Sequence, residues 1–197
     1  MITFASHITL LRILVIPIFV SSLFYYSRSA YEGELNEMYR YVALITFLLA
    51  SIFDILDGFI ARAFKQESQL GAILDPLADK ALMLSAIITL NIINIESIEK
   101  LPPWFTALIL CRDLTLILGF LLLYNVVRHY KLKPHWSGKL STIFQITTII
   151  IILLPPQEYL SIPLTLLIWT AGIFTAISVC IYLSRGLQFI KISGYLE

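Results

Sequence analysis

Apolar residues fall in six long blocks, at residues 8–26, 39–61, 70–95, 103–127, 136–154 and 161–187. Each block comes close to or exceeds the ~20 mostly apolar residues that a helix needs to cross a bilayer. The breaks between them carry turn chemistry or charge: Glu32-Gly33-Glu34, Lys65-Gln66-Glu67-Ser68, Leu101-Pro102-Pro103, residues 131–134 and Pro155-Pro156. Backbone polar groups in lipid must be satisfied within the segment itself, so the blocks read as helices. The pattern predicts an all-α integral membrane protein, a bundle of six transmembrane helices. No repeat, low-complexity tract or long linker divides the chain, and residues 1–197 read as a single membrane domain.

Composition agrees. Of the 197 residues, 58% are hydrophobic and only 14% charged, more apolar surface than a water-soluble domain of this length can hide. A net charge of +1 offers no general attraction to nucleic acid. Cys111 and Cys180 lie in apolar blocks without metal-ligand spacing and read as small core residues. The only early arginine or lysine, Arg12, sits inside the first block, and no small-x-small cleavage site follows. That segment therefore reads as a retained helix and not a secretory signal.

Lysines and arginines between the blocks and toward their ends sort by side. Arg12, Arg62, Lys65, Arg128, Lys131, Lys133, Lys139, Arg185 and Lys191 share one side; Arg28, Arg40 and Lys100 share the other with most loop glutamates. Nine cations against three is a positive-inside bias, predicting a multi-pass protein of the cell (inner) membrane with both termini cytoplasmic. Trp104 and Trp136 stand near block ends, where an amphipathic ring sits at the interface or simply packs.

The informative charges lie within or at the rims of the blocks: Asp54, Asp57, Asp75, Asp79, Lys80, Arg112 and Asp113. Each costs ~2.5–3.5 kcal/mol at mid-bilayer on insertion scales. Four carboxylates between residues 54 and 79, with few cations nearby, cannot neutralise one another. They require a bound cation, shared protons or a water-filled pocket. Asp54 and Asp57 are spaced i,i+3, with Gly58 and Ala61 on the same face; Gly71, Asp75 and Asp79 are spaced by four. Folded back as an antiparallel pair, the two segments set two acidic stripes across one groove floored by small residues. Hard oxygen ligands of this kind suit Mg²⁺ or Mn²⁺, and no histidine or thiol lies near enough in sequence to suggest zinc. Spacing alone leaves open a proton relay or a packing network of acids.

The run Asp54-x2-Asp57-Gly58-x2-Ala61-Arg62-x8-Gly71-x3-Asp75-x3-Asp79 resembles the signature of the CDP-alcohol phosphatidyltransferase family, with every specified position filled. The resemblance extends through Thr9-x-x-Arg12 and the six-span layout, so it covers nearly the whole chain. It implies displacement of CMP from a CDP-linked lipid, usually CDP-diacylglycerol, by an alcohol. It assigns Asp54, Asp57, Asp75 and Asp79 to a two-metal Mg²⁺ or Mn²⁺ site, with Asp79 also the general base. Thr9, Asp57, Gly58, Ala61, Arg62 and Gly71 line the CDP-lipid pocket in that assignment, the active site faces the cytoplasm, and a homodimer is implied. No cysteine, serine or histidine is placed for a covalent intermediate, so direct transfer is expected.

For the acceptor, the family places basic residues at points corresponding to Arg112 and Lys139, to bind a phosphate. An Arg112–Asp113 ion pair and an interfacial lysine at 139 are the competing readings. Asp75-Pro76-Leu77-Ala78-Asp79-Lys80 and Gly138-Lys139-Leu140-Ser141-Thr142-x-x-Gln145 resemble the members that use glycerol 3-phosphate. His7 stands where those members often carry asparagine, and Arg112-Asp113 where many carry Arg-Glu. The stretch from Leu101 to Asp113, with Gly119, resembles members whose acceptor is phosphatidylglycerol, which stands as the alternative. His7, His129 and His135 read as interface or headgroup-facing residues. A membrane prenyltransferase would need a second, late aspartate-rich motif, and an ion or proton carrier has no reason to hold Gly58, Ala61-Arg62 and Gly71 at these offsets.

Overall fold

Six helices follow the six blocks: α1 Phe4–Tyr31, α2 Glu37–Phe64, α3 Gly71–Ile92, α4 Pro103–Val127, α5 Trp136–Leu153 and α6 Ser161–Ile192. The computed structural model describes the backbone of residues 4–64, 71–95, 97–127, 136–155 and 161–192, and the side chains of residues 13–53, 80–95, 97–119, 136–155 and 163–184. No strand occurs among the described residues. Three helical stretches among them, Ile13–Tyr31, Trp136–Leu153 and Pro163–Ser184, are long and apolar enough to cross a membrane.

Helix ends differ from the apolar blocks where capping chemistry decides them. Helix α1 runs past the block end at residue 26 to Tyr31. It stops at Gly33, whose φ of 81° is the left-handed conformation that glycine adopts without a Cβ penalty. Gly33 N donates to Ala30 O and Glu34 N to Ser29 O, a Schellman closure of the last turn. Asn36 then caps α2, its Oδ1 accepting from Met38 N at 3.0 Å, with Glu37 placed favourably in the first turn. Helix α4 opens on Pro103, whose missing N–H would have had no partner there. The Pro102 carbonyl accepts from Phe105 N and Thr106 N.

Two compact units divide the chain: Met1–Leu101 with Thr148–Ser161, and Pro102–Thr147 with Ile162–Glu197. In the first, α1 packs on both α2 and α3. Phe19, Leu23 and Tyr26 of α1, Ala43, Phe47 and Ala50 of α2, and Ala86, Ile87 and Leu90 of α3 are fully buried. The Phe19 and Phe47 rings lie 5.7 Å apart. The opposite face of α2 exposes Tyr41, Ile45, Leu49 and Ile52. Both faces are apolar, so hydropathy does not select the rotation of α2. Close approach at the alanines and polar contacts do.

The strongest polar contact in this unit is Arg40, which is 2% exposed. Its Nε donates to Leu153 O at 3.0 Å, and Nη2 to Ile152 O and Leu154 O, each at 3.1 Å. These are terminal carbonyls of α5, which an isolated helix leaves without partners. Glu37 Oε2 stands 3.8 Å from Nη1, and the Tyr26 hydroxyl donates to Glu37 Oε1 at 2.9 Å. The sequence placed Arg40 among outer-side surface charges; the structure makes it an internal cap of another helix.

In the second unit, Gly172 of α6 brings the Trp104 ring against the helix backbone. A Cβ at 172 would stand 2.8 Å from the edge of that ring, which also sits 4.9 Å from Trp169. Gly172→Ala is therefore expected to push Trp104 off Trp169. A changed tryptophan emission and a stability loss of about 1 kcal/mol should follow, both measurable in detergent.

Candidate active site

Helix α2 continues without a break through Asp54, Asp57, Gly58, Ala61 and Arg62, and α3 begins at Gly71 and carries Asp75 and Asp79. The motif thus lies on two α-helices of the first unit, as its spacing required. Register adds a further fact. Positions 54, 57 and 61 continue, by steps of three and four, the row of Ala43, Phe47 and Ala50 that α2 buries. Positions 71, 75 and 79 continue the row of Leu82, Ala86 and Leu90 that α3 buries. The side chains of Asp54, Asp57, Gly58, Ala61, Arg62, Gly71, Asp75 and Asp79 lie outside the described residues, as do those of Thr9 and His7 on α1 and the basic loop with His129 and His135.

The donor set suits a divalent cation: four carboxylates at helical spacing, with no competing soft ligand in the motif. Among the described residues, which exclude these four side chains, no group of three or more histidine, cysteine, aspartate or glutamate side chains able to hold a metal occurs.

Arg112 and Lys139 belong to the second unit. Arg112, on α4, is 4% exposed. Its Nη1 pairs with Asp113 Oδ1 at 2.9 Å, so the ion pair weighed from sequence is present. Its Nη2 reaches α5, donating to Gly138 O at 3.1 Å and Thr142 Oγ1 at 3.3 Å. Arg112 and the segment bearing Lys139 are thereby brought together, and Lys139 itself is exposed.

The remaining polar residues of that segment face α6. Gln145 Nε2 donates to Ser141 Oγ at 3.0 Å and to Thr175 Oγ1 at 2.9 Å. Thr175 Oγ1 itself donates a hydrogen bond to Ala171 O at 2.6 Å, so Ser141 donates to Thr175 across 2.7 Å. Positions 138, 141, 142 and 145 recur at helical spacing, a signal that they form one polar face. Their partner on α6, Thr175, carries no such signal in an otherwise apolar block.

Comparison with known proteins now bears on this arrangement. The model of the CDP-alcohol phosphatidyltransferase family matches residues 2–181. The chain belongs to the CDP-alcohol phosphatidyltransferase family. It is 34% identical over 184 residues to a probable phosphatidylglycerophosphate synthase of Mycobacterium tuberculosis, covering 93% of this chain and 81% of that one. It is 31% identical over 195 residues to a CDP-diacylglycerol--glycerol-3-phosphate 3-phosphatidyltransferase of Bacillus subtilis, covering 96% and 97%. An Aquifex aeolicus protein of the same name is 37% identical over 102 residues, covering 52% and 54%. As a CDP-alcohol phosphatidyltransferase with long apolar helices, this chain is a membrane-bound transferase of phospholipid biosynthesis.

Proposed function

We propose that this protein transfers the phosphatidyl group of CDP-diacylglycerol to glycerol 3-phosphate, releasing CMP and forming phosphatidylglycerophosphate. The observation that carries the reading is the complete eight-position motif on α2 and α3, its acidic positions in register with faces those helices bury. The names of the Mycobacterium and Bacillus relatives point to the same acceptor. We read residues 1–197 as one catalytic domain, because the family match runs across both compact units.

Asp54, Asp57, Asp75 and Asp79 would hold a pair of Mg²⁺ or Mn²⁺ ions. Such ions, when bound, supply charge for both the attacking and leaving oxygens of an in-line displacement. Asp79 accepts the proton of the attacking hydroxyl. The oxygen of glycerol 3-phosphate forms a bond to the lipid-side phosphorus of the diphosphate as the bond to CMP breaks, and CMP leaves with the electron pair. Thr9, Gly58, Ala61, Arg62 and Gly71 shape the nucleotide pocket, the small residues admitting close approach of the diphosphate. Arg112 and Lys139 grip the acceptor phosphate; charge-assisted contacts of this type are about twice as strong as neutral ones.

All six helices span the inner membrane in this reading, with both termini and the active site cytoplasmic; the nine-to-three cation bias supports it. Two copies pair as a homodimer, a family inference that crosslinking in native membranes would check.

The deciding experiment supplies purified protein with CDP-diacylglycerol and Mg²⁺, then glycerol 3-phosphate, phosphatidylglycerol, inositol phosphate or serine in separate reactions. The product lipid is identified by mass. Phosphatidylglycerophosphate should form only with glycerol 3-phosphate; cardiolipin in the second reaction alone would move the assignment to a cardiolipin synthase. Lys139→Ala should raise KM for glycerol 3-phosphate several-fold, and an unchanged value removes Lys139 from the acceptor pocket.

A further inference from the structure

We propose that Ser178 on α6 is a further acceptor-binding residue, donating a hydrogen bond to the phosphate of the alcohol substrate beside Arg112. The inference rests on the glycerol 3-phosphate reading above and deepens it. Everything it uses lies within the second unit.

Arg112 is held on two of its three nitrogens. Nη1 is paired with Asp113, and Nη2 is bonded to the Gly138 carbonyl and Thr142. Buried Nε has no hydrogen-bond partner among the described residues. Nε and Nη2 share one edge of the planar guanidinium, and with Nη2 already engaged, Nε is the donor that edge still offers. Asp113 engages the nitrogen outside that edge.

Ser178 is fully buried, and its Oγ likewise has no partner among the described residues. Buried polar atoms are rarely left unbonded, and each such exception calls for an explanation. Gly138 connects the two. A Cβ built there would stand 3.4 Å from Ser178 Oγ, 3.5 Å from Arg112 Nη2 and 3.1 Å from Tyr182 Oη. A glycine on α5 thus lets polar groups from α4 and α6 converge on one backbone position.

An oxyanion with several acceptor lone pairs suits two buried donors of which one carries positive charge. A phosphate monoester is such a group. Asp113 already offsets part of the charge of Arg112, so a dianion needs another cation, which the exposed Lys139, next to Gly138, supplies. Neither Ser178 nor Gly138 is basic, so a search for phosphate-binding cations passes over both.

The test compares purified wild type, Ser178→Ala and Ser178→Thr, with CDP-diacylglycerol and Mg²⁺, varying each substrate in turn. Ser178→Ala should raise KM for glycerol 3-phosphate about tenfold, the scale of one lost hydrogen bond to a charged group. KM for CDP-diacylglycerol and the melting temperature should stay at wild-type values. Ser178→Thr, which keeps the hydroxyl, should restore most of the acceptor affinity. An unchanged KM for glycerol 3-phosphate in Ser178→Ala, or equal rises in both KM values with a lower melting temperature, would overturn the proposal and make Ser178 a packing residue. Wild-type protein that forms no product from glycerol 3-phosphate overturns the acceptor reading itself, before any variant is compared.

Discussion

Asp79→Asn is expected to lower metal-dependent CMP release by about three orders of magnitude, the scale on which a positioned general base contributes. Asparagine keeps the volume and one oxygen of the side chain but accepts no proton at neutral pH. Affinity for the CDP-lipid should therefore stay within about tenfold, since three aspartates remain to hold metal against the diphosphate. The comparison that gives this meaning is Asp54→Asn or Asp57→Asn, where substrate affinity and turnover should fall together. Turnover measured by CMP release, alongside equilibrium binding of CDP-diacylglycerol, separates the two patterns. If Asp79→Asn abolishes binding as well, its chief role is ligation and the base must be sought elsewhere.

The largest effect on stability is expected at Arg40. Removing its guanidinium strands three carbonyls at the end of α5 in an apolar setting, and Arg40→Leu should cost about 3 kcal/mol or more. Arg40→Lys retains the charge at the negative end of the helix dipole but loses the planar fork that serves three acceptors. It should fall between leucine and wild type. Thermal unfolding in detergent micelles ranks the three proteins; equal melting temperatures would show that the α5 terminus finds other partners. A site-directed effect is not expected, so residual activity per folded molecule should stay near wild type for the lysine variant.

The contrast between these two residues shows what the sequence could disclose. The aspartates announce themselves because a charge inside an apolar block is costly and needs a reason, and because helical spacing aligns them. The family was legible in their motif, and helices α2 and α3 run through its positions. Helix order was equally legible, since lipid leaves the chain little choice but to be helical across each block. Arg40 was not legible, because its partners lie 112 to 114 residues away in sequence and backbone carbonyls leave no mark on composition. Nor was the α1 end at Tyr31, where Gly33 and local capping overrode the hydropathy pattern. Ser178 sat unnoticed in α6, since a lone serine in an apolar helix reads as a small packing residue until its neighbours are known.

The turn that joins α1 to α2 also acts as a ruler. From the Asn36 cap to Asp54 and Asp57 the helix climbs about 27 and 31 Å, at 1.5 Å per residue. The hydrocarbon core is about 30 Å thick. In the proposed six-span arrangement, a Gly33 bend at one leaflet would set the first acidic pair at the opposite headgroup layer, level with the diphosphate of a lipid standing in that leaflet. On that reading the lipid's reactive phosphorus need not be drawn down into the oil, because the length of the helix would meet it where it already stands.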